Sequence, residues 1–241
     1  MKSFKGSRDV ENTAYIRTSI IIPAYKEEEG LPIVLGKLFK LIDDSYEVIV
    51  VDDGSPDKTS EKAFDFPCKL VRHEQNRGKG EAMKTGARQA QGENIIFIDA
   101  DDTYPVEAIP GIAKGLENFD MVVAPRTKGK ENIPCFNRIG NFILASLIRL
   151  LHGSRVTDPF SGLYGLKKAY FERMQLSSQG FSIETEITIK AARMKLRVAE
   201  TGIEYKPRLG KQKLGSLKDG WRILKTILNE KIRSSNIAKL E

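Results

Sequence analysis

Apolar residues come in short unbroken runs that alternate with stretches in which they recur three and four places apart. The run Ser19-Ile-Ile-Ile-Pro-Ala-Tyr25 predicts a buried strand from Thr18 that stops at Pro23, a residue with no N–H to give to a sheet ladder. Leu31, Val34, Leu35, Leu38 and Leu41 follow at helical spacing, and Glu47-Val-Ile-Val-Val51 predicts a second strand ending in Asp52-Asp53-Gly54. The pattern then repeats, with a short third strand over 69–71, a helix over 80–91, and a fourth strand, Asn94-Ile-Ile-Phe-Ile98, ending in Asp99-Ala100-Asp101-Asp102. Pro105 opens the next helix, and Met121-Val-Val-Ala124 is a further strand.

Strands alternating with helices predict an α/β chain with a Rossmann-like, mostly parallel sheet flanked by helices, in which ligands bind beyond the carboxyl ends of the strands. Both acidic clusters, at 52–53 and 99–102, fall at such ends. The second half has a different texture. Residues 135–152 form an amphipathic helical stretch that carries Phe142, Ile143, Leu147, Leu150 and Leu151 beside Arg138 and Arg149. After Asp158-Pro-Phe-Ser-Gly162 come a shorter mixed region, a helix over 183–194, a strand over 196–203 and a basic tail. Glu184 and Glu186 fit a solvated face of that helix. No apolar run approaches the ~20 residues that a bilayer crossing needs.

Charge sharpens this picture. The chain has 241 residues, with 39 Lys and Arg against 32 Asp and Glu and a formal net charge of +7. Residues 206–241 hold ten Lys and Arg against three acids, a surplus equal to that of the whole chain, so the remainder is neutral. The body therefore offers no basic surface for nucleic acid, and an anionic partner is met at the C-terminal end. Cys68 and Cys135 lack CxxC spacing, and with only His73 and His152 beside them no disulfide framework or zinc site can be assembled. The first residues lack the apolar segment of a secretory signal, which predicts a cytoplasmic location.

Asp99, Asp101 and Asp102, crowded at one strand end, repel one another and resist burial, so they ask for a cation. Hard oxygen ligands suit Mg²⁺ or Mn²⁺, and Mg²⁺ commonly bridges one or two carboxylates to substrate phosphates. Helix capping by Asp102 or Thr103 uses one such residue and leaves Asp99 and Asp101 without a task. Asp99-Ala-Asp-Asp-Thr103 also satisfies the DxDxT pattern of haloacid-dehalogenase-like phosphatases, with Asp99 as nucleophile. Against that reading, Asp120, Asp158 and Asp219 are isolated and complete no second acidic pair. No GxGxxG follows the first strand and no GxxxxGK[ST] occurs, so dinucleotide and P-loop readings fail. Asn76-Arg-Gly-Lys-Gly80 can still receive a phosphate on backbone N–H groups and Lys79.

Taken together, Ser19-Ile-Ile-Ile-Pro-Ala-Tyr-Lys-Glu27, Val50-Val-Asp-Asp-Gly-Ser-Pro-Asp57, Asn76-Arg-Gly-Lys-Gly80 and Ile98-Asp-Ala-Asp101 resemble glycosyltransferase family 2 enzymes of the GT-A fold. Asp158-Pro-Phe-Ser-Gly162 and Arg208-Leu-Gly-Lys-Gln-Lys-Leu214 narrow the likeness to dolichyl-phosphate mannose or glucose synthases. The resemblance implies inverting transfer of a hexose from a nucleotide sugar, GDP-mannose or UDP-glucose, to dolichyl or another polyprenyl phosphate, with Mg²⁺ or Mn²⁺ as cofactor. It implies donor contacts from Pro23, Ala24, Tyr25, Glu27, Asp52, Asp53 and Lys79. Asp99 and Asp101, on either side of Ala100, become the catalytic metal ligands, and Thr103 stands where the family commonly has a metal-binding Gln. Arg126, Arg138, Asn141 and Ser161 match positions that receive the acceptor phosphate. Arg208 and Lys213 match a loop that closes over the phosphates, with Gln212 replacing the family's usual Ser. Asp158 assists the acceptor, orients Arg138, or is a turn residue before Pro159. A family-2 enzyme with a polysaccharide acceptor gives no reason to gather these cations, and a non-enzymatic membrane-binding module leaves the aspartates unexplained.

In the tail, Trp221, Leu224, Leu228 and Ile232 lie on one helical stripe, with Lys218, Arg222, Lys225 and Arg233 largely elsewhere. A basic amphipathic helix of this kind suits an anionic membrane surface, and the same stripe suits packing on the domain or on a second copy in a homodimer. The expected organisation is an N-terminal extension over 1–16, a GT-A domain over 17–214 and a basic amphipathic tail over 215–241. The domain divides into a nucleotide-sugar half, 17–125, and an acceptor half, 126–214. The expected location is peripheral, on the inner face of the cytoplasmic membrane.

Overall fold

Strand β1 (Thr18–Ala24) sends Ile20 and Ile22 to one face of a sheet and Ile21 to the other, and all three are fully buried. Strand β2 (Tyr46–Asp52) repeats this with Val48 and Val50 against Ile49 and Val51. Two-sided burial marks a parallel sheet covered by helices on both faces, which is the arrangement in the computed structural model of residues 15–208 and 216–237. The remaining strands are β3 (Lys69–Arg72), β4 (Asn94–Phe97), β5 (Met121–Val123), β6 (Arg126–Lys128), β7 (Tyr164–Lys167), β8 (Val198–Glu200) and β9 (Ile203–Glu204). Seven of them form one sheet in the order β3-β2-β1-β4-β7-β5-β8, and β6 pairs with β9 in a small parallel ribbon. Within the large sheet only β7 runs antiparallel to its neighbours.

Helices α1 (Gly30–Leu38), α2 (Thr59–Phe64) and α4 (Ile109–Gly115) pack on the Ile20 face. Helices α3 (Lys79–Gln89), α6 (Lys168–Arg173) and α7 (Ile183–Arg193) cover the Ile21 face. Two further helices, α5 (Cys135–His152) and α8 (Ser216–Ile237), join α7 through a third cluster of Ile148, Ile189, Ile223 and Ile227.

The hydrophobic pattern misplaces two features. Strand β7 is invisible in it, because Tyr164-Gly-Leu-Lys167 is short and becomes a strand only by filling the slot between β4 and β5. The strand predicted over 196–203 is divided, since the chain leaves the large sheet after Glu200 and pairs with β6 from Ile203. On α8, the face that packs is that of Ile223 and Ile227, while Trp221, Leu228 and Ile232 are exposed. The packed face is fixed further by Lys231 Nζ donating to the Leu151 carbonyl at 2.9 Å and by Arg193, which binds the Glu230 carboxylate and carbonyl. Among the described residues no helix is long and apolar enough to cross a membrane. Residues 1–14, 209–215 and 238–241, and with them Lys213, lie outside the described residues.

Candidate active site

The carboxyl ends of β1, β2 and β4 converge on one cavity of about 480 Å³, as the switch-point rule for such sheets requires. Its far side is bounded by the N-terminal ends of α5 and α7 and the residues just before them, through Pro134, Asn137, Asn141, Phe181 and Glu184. Pro23, Ala24, Tyr25, Glu27, Asp53, Lys79, Asp99, Asp101, Arg126, Asn141 and Arg208 all line it.

Asp53 shapes one wall. Its carboxylate accepts the N–H groups of Arg77 at 2.9 Å and Gly78 at 2.7 Å, and lies 2.7 Å from His73 Nδ1. The turn before α3 thus hangs from the end of β2, which brings Lys79 into the cavity. Gly78 is required there, because its φ is +94° and a Cβ would meet the Gln179 carbonyl at 2.6 Å. Asp52 points the other way. It is fully buried, accepts the Ser55 N–H at 2.9 Å and the Ser60 hydroxyl, and does not line the cavity.

At the end of β4, Asp99 Oδ1 lies 2.6 Å from Lys79 Nζ, which also reaches Glu184 Oε1 at 2.7 Å. Asp101 Oδ2 lies 2.6 Å from Arg208 Nη1, and Arg208 Nη2 donates to Glu27 Oε1 at 2.7 Å. Thr103 is buried and donates its hydroxyl to Asp101 Oδ1 at 2.6 Å, so it orients that carboxylate without lining the cavity. Ala100 is buried, with its carbonyl beneath Gly30, and Asp102 turns aside to Lys37. Burial and the charge of Asp99 raise the Asp101 pKa, against the pull of Arg208. A second cation would relieve the same strain, so the oxygen-only pair of Asp99 and Asp101 fits a hard divalent ion.

Opposite this pair, Arg126 makes a fork with Asp158, Nε to Oδ2 at 2.6 Å and Nη2 to Oδ1 at 2.7 Å. Its guanidinium lies 5.5 Å from the Tyr205 ring centroid, and Tyr205 meets Tyr104 edge-on at 5.3 Å. Burial pushes the Asp158 carboxyl up, but the bonds and charge of Arg126 outweigh it and hold the pKa below the usual range. Asp158 therefore orients Arg126, and the expected pairing with Arg138 is not formed. Arg138 is exposed on α5 and does not line the cavity, whereas Asn137 and Asn141, one helical turn apart, do. Ser161 is buried too, its hydroxyl donating to the Ala124 carbonyl at 2.6 Å.

The family model for glycosyl transferase family 2 matches residues 19–174, a span that includes Asp53, Lys79, the aspartate pair and the Arg126–Asp158 fork. The chain belongs to glycosyl transferase family 2. Among curated relatives, it is 35% identical over 190 residues to a dolichol-phosphate mannosyltransferase of Pyrococcus furiosus, covering 73% of this chain and 53% of that one. This glycosyltransferase thus spans about half the length of that relative. It is 29% identical over 221 residues to a dolichyl-phosphate hexose transferase of Haloferax volcanii, covering 89% of this chain and 96% of the relative. Glucosyl-3-phosphoglycerate synthase of Mycobacterium tuberculosis in complex with phosphoglyceric acid superposes with a TM-score of 0.73 at 22% identity, over 88% of this chain and 79% of that one. The same synthase with Mn²⁺, UDP and glucosyl-3-phosphoglycerate gives a TM-score of 0.70 at 24% identity, over 88% and 79%. At this identity the likeness shows the fold, which is the GT-A arrangement.

Sequence reasoning misses part of the glycosyltransferase's cavity. Glu184 and Glu186 are not on a solvated face, for both are buried. Glu186 accepts the N–H groups of Ser177 at 3.0 Å and Ser178 at 2.7 Å and lies 2.7 Å from Lys190. Burial works against its charge, but these partners prevail and hold its pKa down to about 2. It thereby fixes the loop whose Gln179 carbonyl covers Gly78 and Gly80. Glu184, Tyr104, Phe181 and Tyr205 line the cavity and carry no motif signal. The clue to the glutamates is that α7 has isoleucines at 183, 187 and 189, which do not share one face, so the helix is buried on more than one side.

Gly162 has a comparable part. A Cβ there would sit 2.2 Å from Asp99 Oδ2. Gly162→Ala is therefore expected to displace the Asp99 carboxylate and cut the transferase rate by about 10²-fold, with melting temperature shifted far less. Steady-state kinetics beside a melting curve check this, and a rate within twofold of the unaltered enzyme would refute it.

Proposed function

We propose that this glycosyltransferase moves a hexose from a nucleotide sugar, GDP-mannose or UDP-glucose, to the phosphate of dolichol or another polyprenol at a membrane surface, with inversion and with Mg²⁺ or Mn²⁺. One observation carries the acceptor. Helix α5 is a wall of the cavity through Asn137 and Asn141, and on its outer side it exposes Phe136, Ile139, Phe142, Ile143 and Leu150. An alkyl chain or lipid surface along α5 would lie against a wall of the cavity that Arg126 also lines. The names of the Pyrococcus and Haloferax relatives point the same way.

In this reading Pro23, Tyr25, Glu27 and Asp53 hold the nucleoside, and Lys79 stands beside the diphosphate. Asp99 and Asp101 would hold the divalent ion, whose chemistry is to neutralise charge on the departing nucleoside diphosphate. Among the described residues no group of three or more His, Cys, Asp or Glu is arranged for a metal, which suits an ion completed by substrate oxygens. Arg126, held by Asp158, and Asn141 receive the acceptor phosphate, while Arg208 serves the closing loop. A phosphate oxygen attacks the anomeric carbon as the bond to the diphosphate breaks on the opposite side. The nucleophile is already anionic, so no proton has to be removed. Residues 17–125 supply the donor and cation contacts, and residues 126–214 chiefly the acceptor contacts. A polysaccharide acceptor leaves Arg126 without a phosphate and α5 without an apolar partner.

Labelled GDP-mannose and UDP-glucose, each incubated with dolichyl phosphate with and without Mn²⁺, test the reading. A metal-dependent polyprenyl-phosphate sugar is expected from one donor, and transfer only to a soluble glycan would overturn it. For the surface, Phe136→Asp with Phe142→Asp is expected to lower binding to anionic liposomes by roughly tenfold or more, since each buried Phe is worth about 1.5–3 kcal/mol. Flotation measures this, and undiminished recovery would assign α5 another partner. Trp221, Leu228 and Ile232 of α8 extend the same role, because the opposite face of that helix is already packed on α5 and α7.

A further inference from the structure

Two cations in the cavity are arranged alike. Lys79 bridges Asp99 to Glu184 at 2.6 and 2.7 Å, and Arg208 bridges Asp101 to Glu27 at 2.6 and 2.7 Å. Each aspartate of the pair therefore shares its cation with a second carboxylate one step outside it. A divalent ion cannot join Asp99 while an ammonium keeps the same oxygen, because two positive charges at that separation repel strongly in a poorly hydrated cleft. Lys79 must give way. Its side chain is only 15% exposed, so without another partner it would be left as a buried, unpaired charge, which is costly.

We propose that Glu184 is a positioning residue that receives Lys79 when Asp99 takes up the divalent ion, which keeps the ammonium inside the cavity beside the diphosphate. The inference rests on the metal reading of Asp99 and Asp101 and goes beyond it, since Glu184 touches neither the ion nor the sugar in this role. Its side chain is 7% exposed, in the first turn of α7. Burial raises its pKa, against the pull of Lys79, so the carboxylate is itself stabilised by the ammonium it holds. Phe181, whose ring centroid lies 5.8 Å from Lys79 Nζ, lines the cavity beside the ammonium. The Arg208 arrangement follows the same logic, and its Nε is buried with no hydrogen-bond partner among the described residues.

The test reads Mn²⁺ affinity of the full chain by electron paramagnetic resonance, with saturating GDP or UDP to complete the ion's coordination and no acceptor present. Glu184→Gln is expected to weaken Mn²⁺ binding by about tenfold, because Lys79 then clings to Asp99. Lys79→Met is expected to tighten it. In the Lys79→Met background the Glu184→Gln penalty is expected to shrink to within about twofold, the non-additivity of a direct pair. Recovery of affinity in the double variant also excludes misfolding as the cause of the single loss. If Glu184→Gln does not fold, Glu184→Asp, with the charge drawn back, is expected to show a smaller loss with the same dependence on Lys79. Unchanged affinity in Glu184→Gln, or an equal penalty with and without Lys79, overturns the proposal and leaves the metal reading intact. Failure of the unaltered chain to bind Mn²⁺ even with GDP or UDP present overturns the metal reading and this inference together.

Discussion

Asp101→Ala is expected to lower sugar transfer by at least about 10²–10³-fold, the range seen when one group that stabilises developing charge is removed. Asp101 is almost fully buried at the end of β4, faces Arg208 and is oriented by Thr103. Removing it deletes half of the two-carboxylate set and also frees Arg208 from its place. The effect is expected in kcat at saturating donor, with apparent Mn²⁺ affinity reduced in parallel. Because burial and Asp99 work against its charge, and Arg208 keeps Glu27 as a partner, the alanine variant is expected to melt only slightly earlier. Kinetics across a Mn²⁺ series beside a melting curve check both parts. Full activity in Asp101→Ala would show that the aspartate pair has no metal role.

Breaking the Arg126–Asp158 fork is expected to have the largest effect on stability. Both side chains are mostly buried, at 10% and 17% exposed, and removing one partner strands the other. Asp158→Asn leaves the guanidinium unpaired and is expected to cost about 3–5 kcal/mol. That corresponds to a fall in Tm of roughly ten degrees for a domain of this size. Arg126→Met with Asp158→Leu is expected to recover much of the stability and none of the transfer to polyprenyl phosphate. That split separates a structural ion pair from a phosphate receptor, and transfer at the unaltered rate in the double variant would remove Arg126 from the acceptor site. The fork also sets an acid limit. The Asp158 pKa is lowered in the folded state, so its contribution is complete above the unfolded value near ~4 and is lost as pH falls through the lower folded value.

Local pattern was enough for the alternation of strands and helices, the two-sided burial of β1 and β2, and the placing of both acidic clusters at strand ends. These follow from side-chain period, which needs no knowledge of a distant residue, whereas β1 runs on past the expected stop at Pro23 to pair Ala24 with Asp52. That Asp99 and Asp101 belong to a polar site was legible for a related reason, since three carboxylates crowded at one strand end repel one another and resist burial unless their charge is offset. Which of two neighbouring aspartates faces the cavity was not legible. Asp52 and Asp53 differ only in the direction that the turn after β2 gives them, and that turn is set by Ser55, Ser60, Arg77 and Gly78. Partners distant in sequence likewise decided that Asp158 holds Arg126 rather than Arg138, and that Glu184 and Glu186 are buried rather than solvated. Tertiary packing also turned Ile223 and Ile227 of α8 inward and left Trp221 outside. A stripe read on an isolated helix says which residues share a face, and only the neighbouring helices determine which face is covered.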